Sequence, residues 1–390
     1  EMCRKSLMIA EKLGRKDGIA NSYGNLGGLY VDLGDLKQAE EMFKESMTMY
    51  YSLKDDEGIA KNLSDLGYLY QIQGDLVEAE EMYEKSLMIN KKLGYKLSMS
   101  INYGNLGNLY HTLGDLDQAE EMYKKSLDIN QALKHKEGVA NNYSNLGALC
   151  QFKGELDQAE NMYTKSRVIT EELGHKNGMA HAYVNLSTLY LIKGDLVQAE
   201  DLCEKSLIIT EELGDKEGMA RAFENLGMLS QAKGNLNQAL EMLIKSQKTY
   251  ESIGNQSGMA QVYDSLGTLY QAQDNLGQAE VMYKKSLEIV KKLDLKERIV
   301  HAYENLGILY TMQGSLNLAV EMCINALAVN EGLSRKIDMA SNYGNLGNLY
   351  KLQGDLDGAK MALLKSKALF REVGSPNADL IQASLDEIEK

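Results

Sequence analysis

Tyr103-Gly104-Asn105-Leu106-Gly107-Asn108-Leu109-Tyr110 recurs unchanged as Tyr343-Gly344-Asn345-Leu346-Gly347-Asn348-Leu349-Tyr350, six periods of 40 residues later. Between the copies the same position carries Tyr143, Tyr183, Phe223, Tyr263 and Tyr303. The central leucine falls at Leu26, Leu66, Leu106, Leu146, Leu186, Leu226, Leu266, Leu306 and Leu346, with no insertion or deletion. Self-similarity at a fixed period of this size is the mark of a stacked-repeat solenoid. Such an array offers a long repetitive surface in place of one central pocket, and its usual work is to hold another chain.

Within one repeat the apolar residues from Met99 to Leu113 fall at helical spacing. Gly114 supplies a left-handed stop, and Asp115 with Gln118 reads as a capping box opening a second helix. The box recurs as Asp35/Gln38, Asp75/Glu78, Glu155/Gln158 and Asp195/Gln198, and it weakens at Ser315/Leu318 and Asp355/Gly358. The second helix carries Leu116, Ala119, Met122, Tyr123, Leu127 and Leu133 on one face and Glu120/Lys124 and Glu121/Lys125 on the other. The charged pairs describe a solvated outer face. Gly107 lets the two helices approach, with Ala119 expected opposite. A single proline, Pro376, in 390 residues agrees with helix nearly throughout. The fold expected is all-α: a right-handed superhelical solenoid of antiparallel helix pairs.

The chain opens inside the second helix of a repeat, so residues 1–16 read as a truncated repeat and the sequence as a fragment cut mid-repeat. Residues 17–376 hold nine tandem repeats, and 377–390 a terminal capping helix.

Tyr103, Leu106, Gly107, Tyr110, Ala119, Tyr123 and Ser126 together resemble the tetratricopeptide repeat, over essentially the whole chain. The longer, 40-residue form is similar to the repeats of Pins-type G-protein-signalling modulators and of rapsyn, and to the slightly longer ones of kinesin light chain. The resemblance implies that first helices line a concave groove. It places in that groove the asparagine of the Asn-Leu-Gly triplet: Asn25, Asn105, Asn145, Asn185, Asn225, Asn305 and Asn345. Asp65 and Ser265 replace it twice. These amides either bond the backbone of an extended peptide or bond the neighbouring repeat; the two readings are compatible. Other wall positions vary over an unvarying core. The early wall is polar, the middle apolar at Phe152, Val184, Leu191 and Ile192, and the late wall acidic at Glu224, Asp264 and Glu304. The lysines and arginines with which co-chaperone arrays hold a carboxylate tail are missing.

A net charge of −14 disfavours nucleic acid and anionic membranes. The four cysteines take positions held elsewhere by core aromatics, which points to packing and a reducing, cytoplasmic setting. The five histidines have no ligand spacing, and the recurring serines have no histidine partner. No metal, cofactor or enzymatic activity is expected. The expected function is a scaffold that binds a protein or peptide with apolar anchors and basic residues in the groove. The alternatives are a self-associating array, for instance through the cut N-terminal half-repeat, and the sensor region of a larger signalling protein.

Overall fold

The computed structural model describes residues 2–333 and 335–388, so the outer limits of the terminal segments expected above lie outside it. Among the described residues it holds 20 helices and no strand. The chain forms two compact units, residues 1–258 and 259–390. The first unit holds α1 (Met2–Lys12), α2 (Lys16–Asp32), α3 (Leu36–Leu53), α4 (Asp56–Gln73), α5 (Leu76–Leu93), α6 (Lys96–Leu113), α7 (Leu116–Ala132), α8 (Lys136–Phe152), α9 (Leu156–Leu173), α10 (Lys176–Lys193), α11 (Leu196–Leu213), α12 (Lys216–Ala232) and α13 (Leu236–Ile253). The boundary falls inside α14 (Gln256–Ala272). The second unit continues with α15 (Leu276–Lys292), α16 (Lys296–Met312), α17 (Leu316–Gly332), α18 (Lys336–Gln353), α19 (Leu356–Glu372) and α20 (Asn377–Ile388).

Each unit is a helical solenoid built by one packing rule. Even-numbered α2 to α18 are first helices; α2 to α12, α16 and α18 each pack on the second helix that follows, and Gly267 of α14 lies against Tyr283 of α15. Left-handed glycines such as Gly114 (φ 78°) and Gly194 (φ 79°) end helices and turn the chain. Asp35, Asp115 and Asp195 accept from the backbone N–H three residues on, as the capping box requires. The other boxes correct the sequence reading. Asp75 and Glu155 make no such cap, whereas Asp355, expected to be weak, accepts from Gly358 N at 2.9 Å.

The core is a ladder of repeated side chains. Leu69, Leu109, Leu149, Leu189, Leu269 and Leu309 are fully buried, each worth about 1.5–3 kcal/mol of apolar burial. The space beside Gly107 is taken by the Tyr123 ring, where Ala119 was expected: a Cβ built on the glycine would stand 2.5 Å from the ring. Leu133, assigned to the buried face, is 42% exposed because it caps α7 at the edge of the array.

A buried polar seam runs beside this core. Ser46, Ser86, Ser206, Ser246 and Ser366 each donate to a first-helix carbonyl of Ala20, Ala60, Ala180, Ala220 and Ala340. Asn62 and Asn102 of the following first helices donate to Ser46 and Ser86, at 2.6 and 3.0 Å. Each bond nets only about 1 kcal/mol, but an unmade one would leave a desolvated amide. On the outside, Lys124 pairs with Glu120 and Lys125 with Glu121 at 2.6 Å. Neighbouring repeats are tied by Tyr110 to Glu80, Tyr190 to Glu160 and Lys153 to Glu120.

Candidate interaction surface

In the first unit, neighbouring first helices touch each other along the series α2, α4, α6, α8, α10 and α12. No pair of second helices there is in comparable contact among the described residues. A stack whose first helices crowd together while its second helices fan apart curves towards the first helices, which therefore form its inner wall. The same curvature brings Glu217 and Arg221 of α12 near enough to Tyr68 of α4 to act on its phenol, and Glu217 near enough to Asp32 of α2 to act on its carboxyl.

The inner wall carries two lanes. Near the N-terminal ends of the first helices the lane is polar. Asn21, Lys61, Glu57, Ser64, Asp65 and Asn102 line a cavity of about 580 Å³ there. Burial pushes the Asp65 carboxyl up to about 6, against the partly offsetting charge of Lys61. Towards the C-terminal ends the lane is apolar. Tyr68 is 53% exposed, Phe152 66% and Ile192 54%. Phe152 meets the His111 ring edge-on at 5.2 Å, and burial lowers the His111 pKa. In the second unit, α16 and α18 carry Ile308, Met312 and Leu352, all more than half exposed, around a cavity of about 510 Å³.

The apolar residues singled out from sequence divide by exposure. Phe152 and Ile192 stand free on the wall, whereas Val184 and Leu191 are half-buried. The sequence reading missed Tyr68, Ile308, Met312 and Leu352. It sorted the wall along the axis, into early, middle and late parts, whereas the contrast runs across the wall. The signal was available: these residues sit four or eight positions from the wall positions that were read, on the same helical face.

The triplet asparagines lie on the first helices and are exposed or half-buried. Asn105 donates to Ser64 at 3.2 Å and Asn225 to Thr188 at 3.4 Å, so two of them bond the preceding repeat. Asn25, Asn145, Asn185, Asn305 and Asn345 make no side-chain hydrogen bond among the described residues.

The acids differ from expectation. Glu224 is buried, at 3% exposure, and Asp264 and Glu304 are half-buried. Their repeat position faces the buried serine seam: Gly24 and Gly104 approach Ser46 and Ser126 there, and Ser144 bonds Ser166 at 2.9 Å. The acid at that position is drawn towards the seam, completely at Glu224, while Glu304 keeps 34% of its side chain exposed. Burial accordingly raises the Asp264 pKa. Glu304 accepts from Asn342 at 3.2 Å and pairs with His301 at 3.4 Å, and that pairing raises the histidine's pKa.

All four cysteines are free thiols. Among the described residues no His, Cys, Asp or Glu group is arranged to hold a metal ion, and no helix is long and apolar enough to cross a membrane.

An all-helical repeat array with an inner wall of first helices defines a class of interaction proteins more than a chemistry. The chain belongs to the tetratricopeptide repeat family, whose profile matches residues 1–52, 58–132, 97–172, 138–212, 218–292 and 298–374. Among curated proteins, none matches the chain. Solved structures share its fold. A Rap protein complexed with Competence and Sporulation Factor superposes with a TM-score of 0.54 at 13% identity, over 85% of this chain and 97% of that one. The apo form of RapI gives 0.53 at 16% identity, over 70% and 98%. A STAND signal-transduction ATPase with a tetratricopeptide repeat sensor, from Pyrococcus horikoshii, gives 0.50 at 16% identity, over 89% of this chain and 54% of that one.

Proposed function

We propose that this chain is a protein-interaction scaffold that binds a peptide or protein segment along the wall of its first helices. The observation that carries this is the apolar lane of the first unit. Tyr68, Phe152 and Ile192, on three first helices, are more than half exposed on an inward-curving wall, and large apolar side chains left exposed on one concave face favour an interaction site. The polar lane beside it, with the unbonded asparagine amides, supplies donors and acceptors for a ligand backbone. The binding mode is the one implied by the likeness to Pins-type arrays. The Rap protein that shares the fold is itself seen with Competence and Sporulation Factor bound. Nine repeats over 17–376, flanked by a half-repeat at 1–16 and a cap at 377–390, and a reducing cytoplasmic setting complete the proposal.

The test compares partners captured by the chain and by a Phe152→Ser/Ile192→Ser variant. A wall ligand should lose about tenfold or more in affinity, mainly through faster dissociation, because desolvated apolar anchors dominate interfaces. The melting temperature should hardly move, since both side chains are exposed. A variant of the outer face, Glu121→Ala/Lys125→Ala, should bind as before. If the outer variant loses the partner and the wall variant keeps it, the ligand sits on the second helices.

A further inference from the structure

The cavity in the second unit has a cause that can be followed residue by residue. In five repeats the glycine of the Leu-Gly pair is covered by an aromatic ring from the second helix. A Cβ built on Gly27, Gly67, Gly107, Gly147 or Gly267 would stand 2.4–2.8 Å from the ring of Phe43, Tyr83, Tyr123, Tyr163 or Tyr283. Where the aromatic is lost at Leu243 and Leu363, leucine fills the same space: a Cβ built on Gly227 or Gly347 would stand 2.8 or 2.6 Å from it. Where it is lost at Cys203, the glycine is lost too: Ser187 stands there and donates to Ala199 O at 2.7 Å.

Only Gly307 with Cys323 has neither compensation. The first atom a Cβ on Gly307 would meet is Cβ of Met322, at 3.7 Å. Gly307 is half-buried, whereas the other seven glycines at this position are fully buried. Gly307, Cys323 and Ala319 line the 510 Å³ cavity, and Ile308, Met312 and Leu352 stand around it.

The missing ring also tells where the cavity opens. In the ring-bearing repeats the tyrosine hydroxyl reaches the wall of first helices. Tyr123 meets Asn108, while Tyr83, Tyr163 and Tyr283 meet Gln71, Gln151 and Gln271. In this repeat the corresponding wall residues are Ile308 and Thr311, and the Thr311 hydroxyl is turned back onto Gly307 O at 2.8 Å. The mouth is thus on the wall, where Asn345 and Asn348 of the next first helix also line it, while the floor is made by Gly307, Ala319, Cys323 and Leu349. Glu304 is the only charged side chain of the lining.

From this we infer that the Gly307–Cys323 cavity is a socket for an aromatic side chain of the bound partner, a phenylalanine with a basic residue beside it. The partner's ring takes the place that the chain's own ring takes in the other repeats. The vacancy sets the shape, the apolar floor of Ala319, Cys323 and Leu349 receives the tip of the ring and favours phenylalanine over tyrosine, and Glu304 selects the basic neighbour by charge complementarity. This rests on the reading of the first helices as the ligand wall.

The probes are three short peptides: acetyl-Lys-Phe-Lys-amide, acetyl-Lys-Ala-Lys-amide and acetyl-Glu-Phe-Glu-amide. Binding to the full chain is followed by NMR of labelled methyl groups. The Lys-Phe-Lys peptide should shift Ile308, Met312 and Leu352. The alanine and glutamate peptides should each bind about tenfold more weakly or worse. Cys323→Tyr, which installs the side chain of the other repeats, should close the socket, abolish those shifts and raise the melting temperature. Gly307→Ser, which copies the pair at Ser187 and Cys203, is the second closing variant should the first misfold. Glu121→Ala/Lys125→Ala, on the outer face, should leave peptide binding unchanged; since the peptides are read only at Ile308, Met312 and Leu352, the socket can fail while the wall of the first unit still captures its partner. Absence of binding at millimolar peptide, equal binding of the alanine peptide, or binding that survives both closing variants would overturn the inference.

Discussion

Asp65 stands at the position that carries asparagine in seven of the nine repeats, and the substitution makes it a pH sensor of stability. Its carboxyl is half-buried beside the polar cavity, and burial raises its pKa from 3.8 to about 6. The folded chain therefore holds this proton more tightly than the unfolded chain does. Below about pH 4 both states are protonated and nothing is lost. Between pH 4 and 6 the unfolded state ionises first and stability falls, and above pH 6 the full penalty stands. Its size is on the order of 1–3 kcal/mol. Asp65→Asn should raise the melting temperature at pH 8 and leave it unchanged at pH 3.5; an equal shift at both values would show that charge burial is not the cause. The asparagine pattern was legible in the sequence, because it recurs at a fixed period. That Asp65 and Glu224 are drawn inward was not. Their burial depends on the serine seam of the second helix, which no single-helix pattern displays.

The unit of packing at the scale of helices is the pair formed by a first-helix glycine and the second-helix side chain 16 positions on. Helix positions, the left-handed glycine stops and the charged outer face all followed from periodicity and punctuation. The capping boxes followed in part, since Asp75 and Glu155 have the right residue and spacing without the bond. The size pairing left one trace in the sequence, Ser187 with Cys203, but its meaning needed the distance between helices. The pairing predicts strong coupling. Cys203→Tyr alone forces a ring against Ser187 and should cost about 1–3 kcal/mol, as overpacking does. Ser187→Gly alone should cost about 1 kcal/mol for glycine in a helix, together with the lost bond to Ala199. The double variant recreates the pair seen at Gly107 and Tyr123 and should be more stable than the two single changes add up to. Chemical denaturation of the four proteins closes the cycle, and additivity within about 0.5 kcal/mol would show that the pairing is coincidental.

For the whole molecule, the question is how far a local injury travels. A solenoid has mainly nearest-neighbour contacts, so its stability is close to a sum of repeat and interface contributions. Leu186 is 2% exposed and packs in a cluster with Tyr163, Tyr183, Leu189 and Leu202, flanked by Cys150 and Ile209, which lies within α8 to α11. Leu186→Ala should cost about 2–5 kcal/mol there, as for other buried leucines. Because the cluster ends with those helices, the loss should be regional. Hydrogen exchange under native conditions should show faster exchange for amides of α8 to α11, smaller changes in the adjoining helices, and unchanged protection for residues 296–388 in the second unit. The comparison with a globular domain makes the outcome decisive. In a single cooperative core every slow amide exchanges through the same global opening, so one cavity weakens all of them equally. An even loss of protection from α1 to α20 would therefore mean that the two units unfold together, and that repeat-by-repeat additivity does not describe this array.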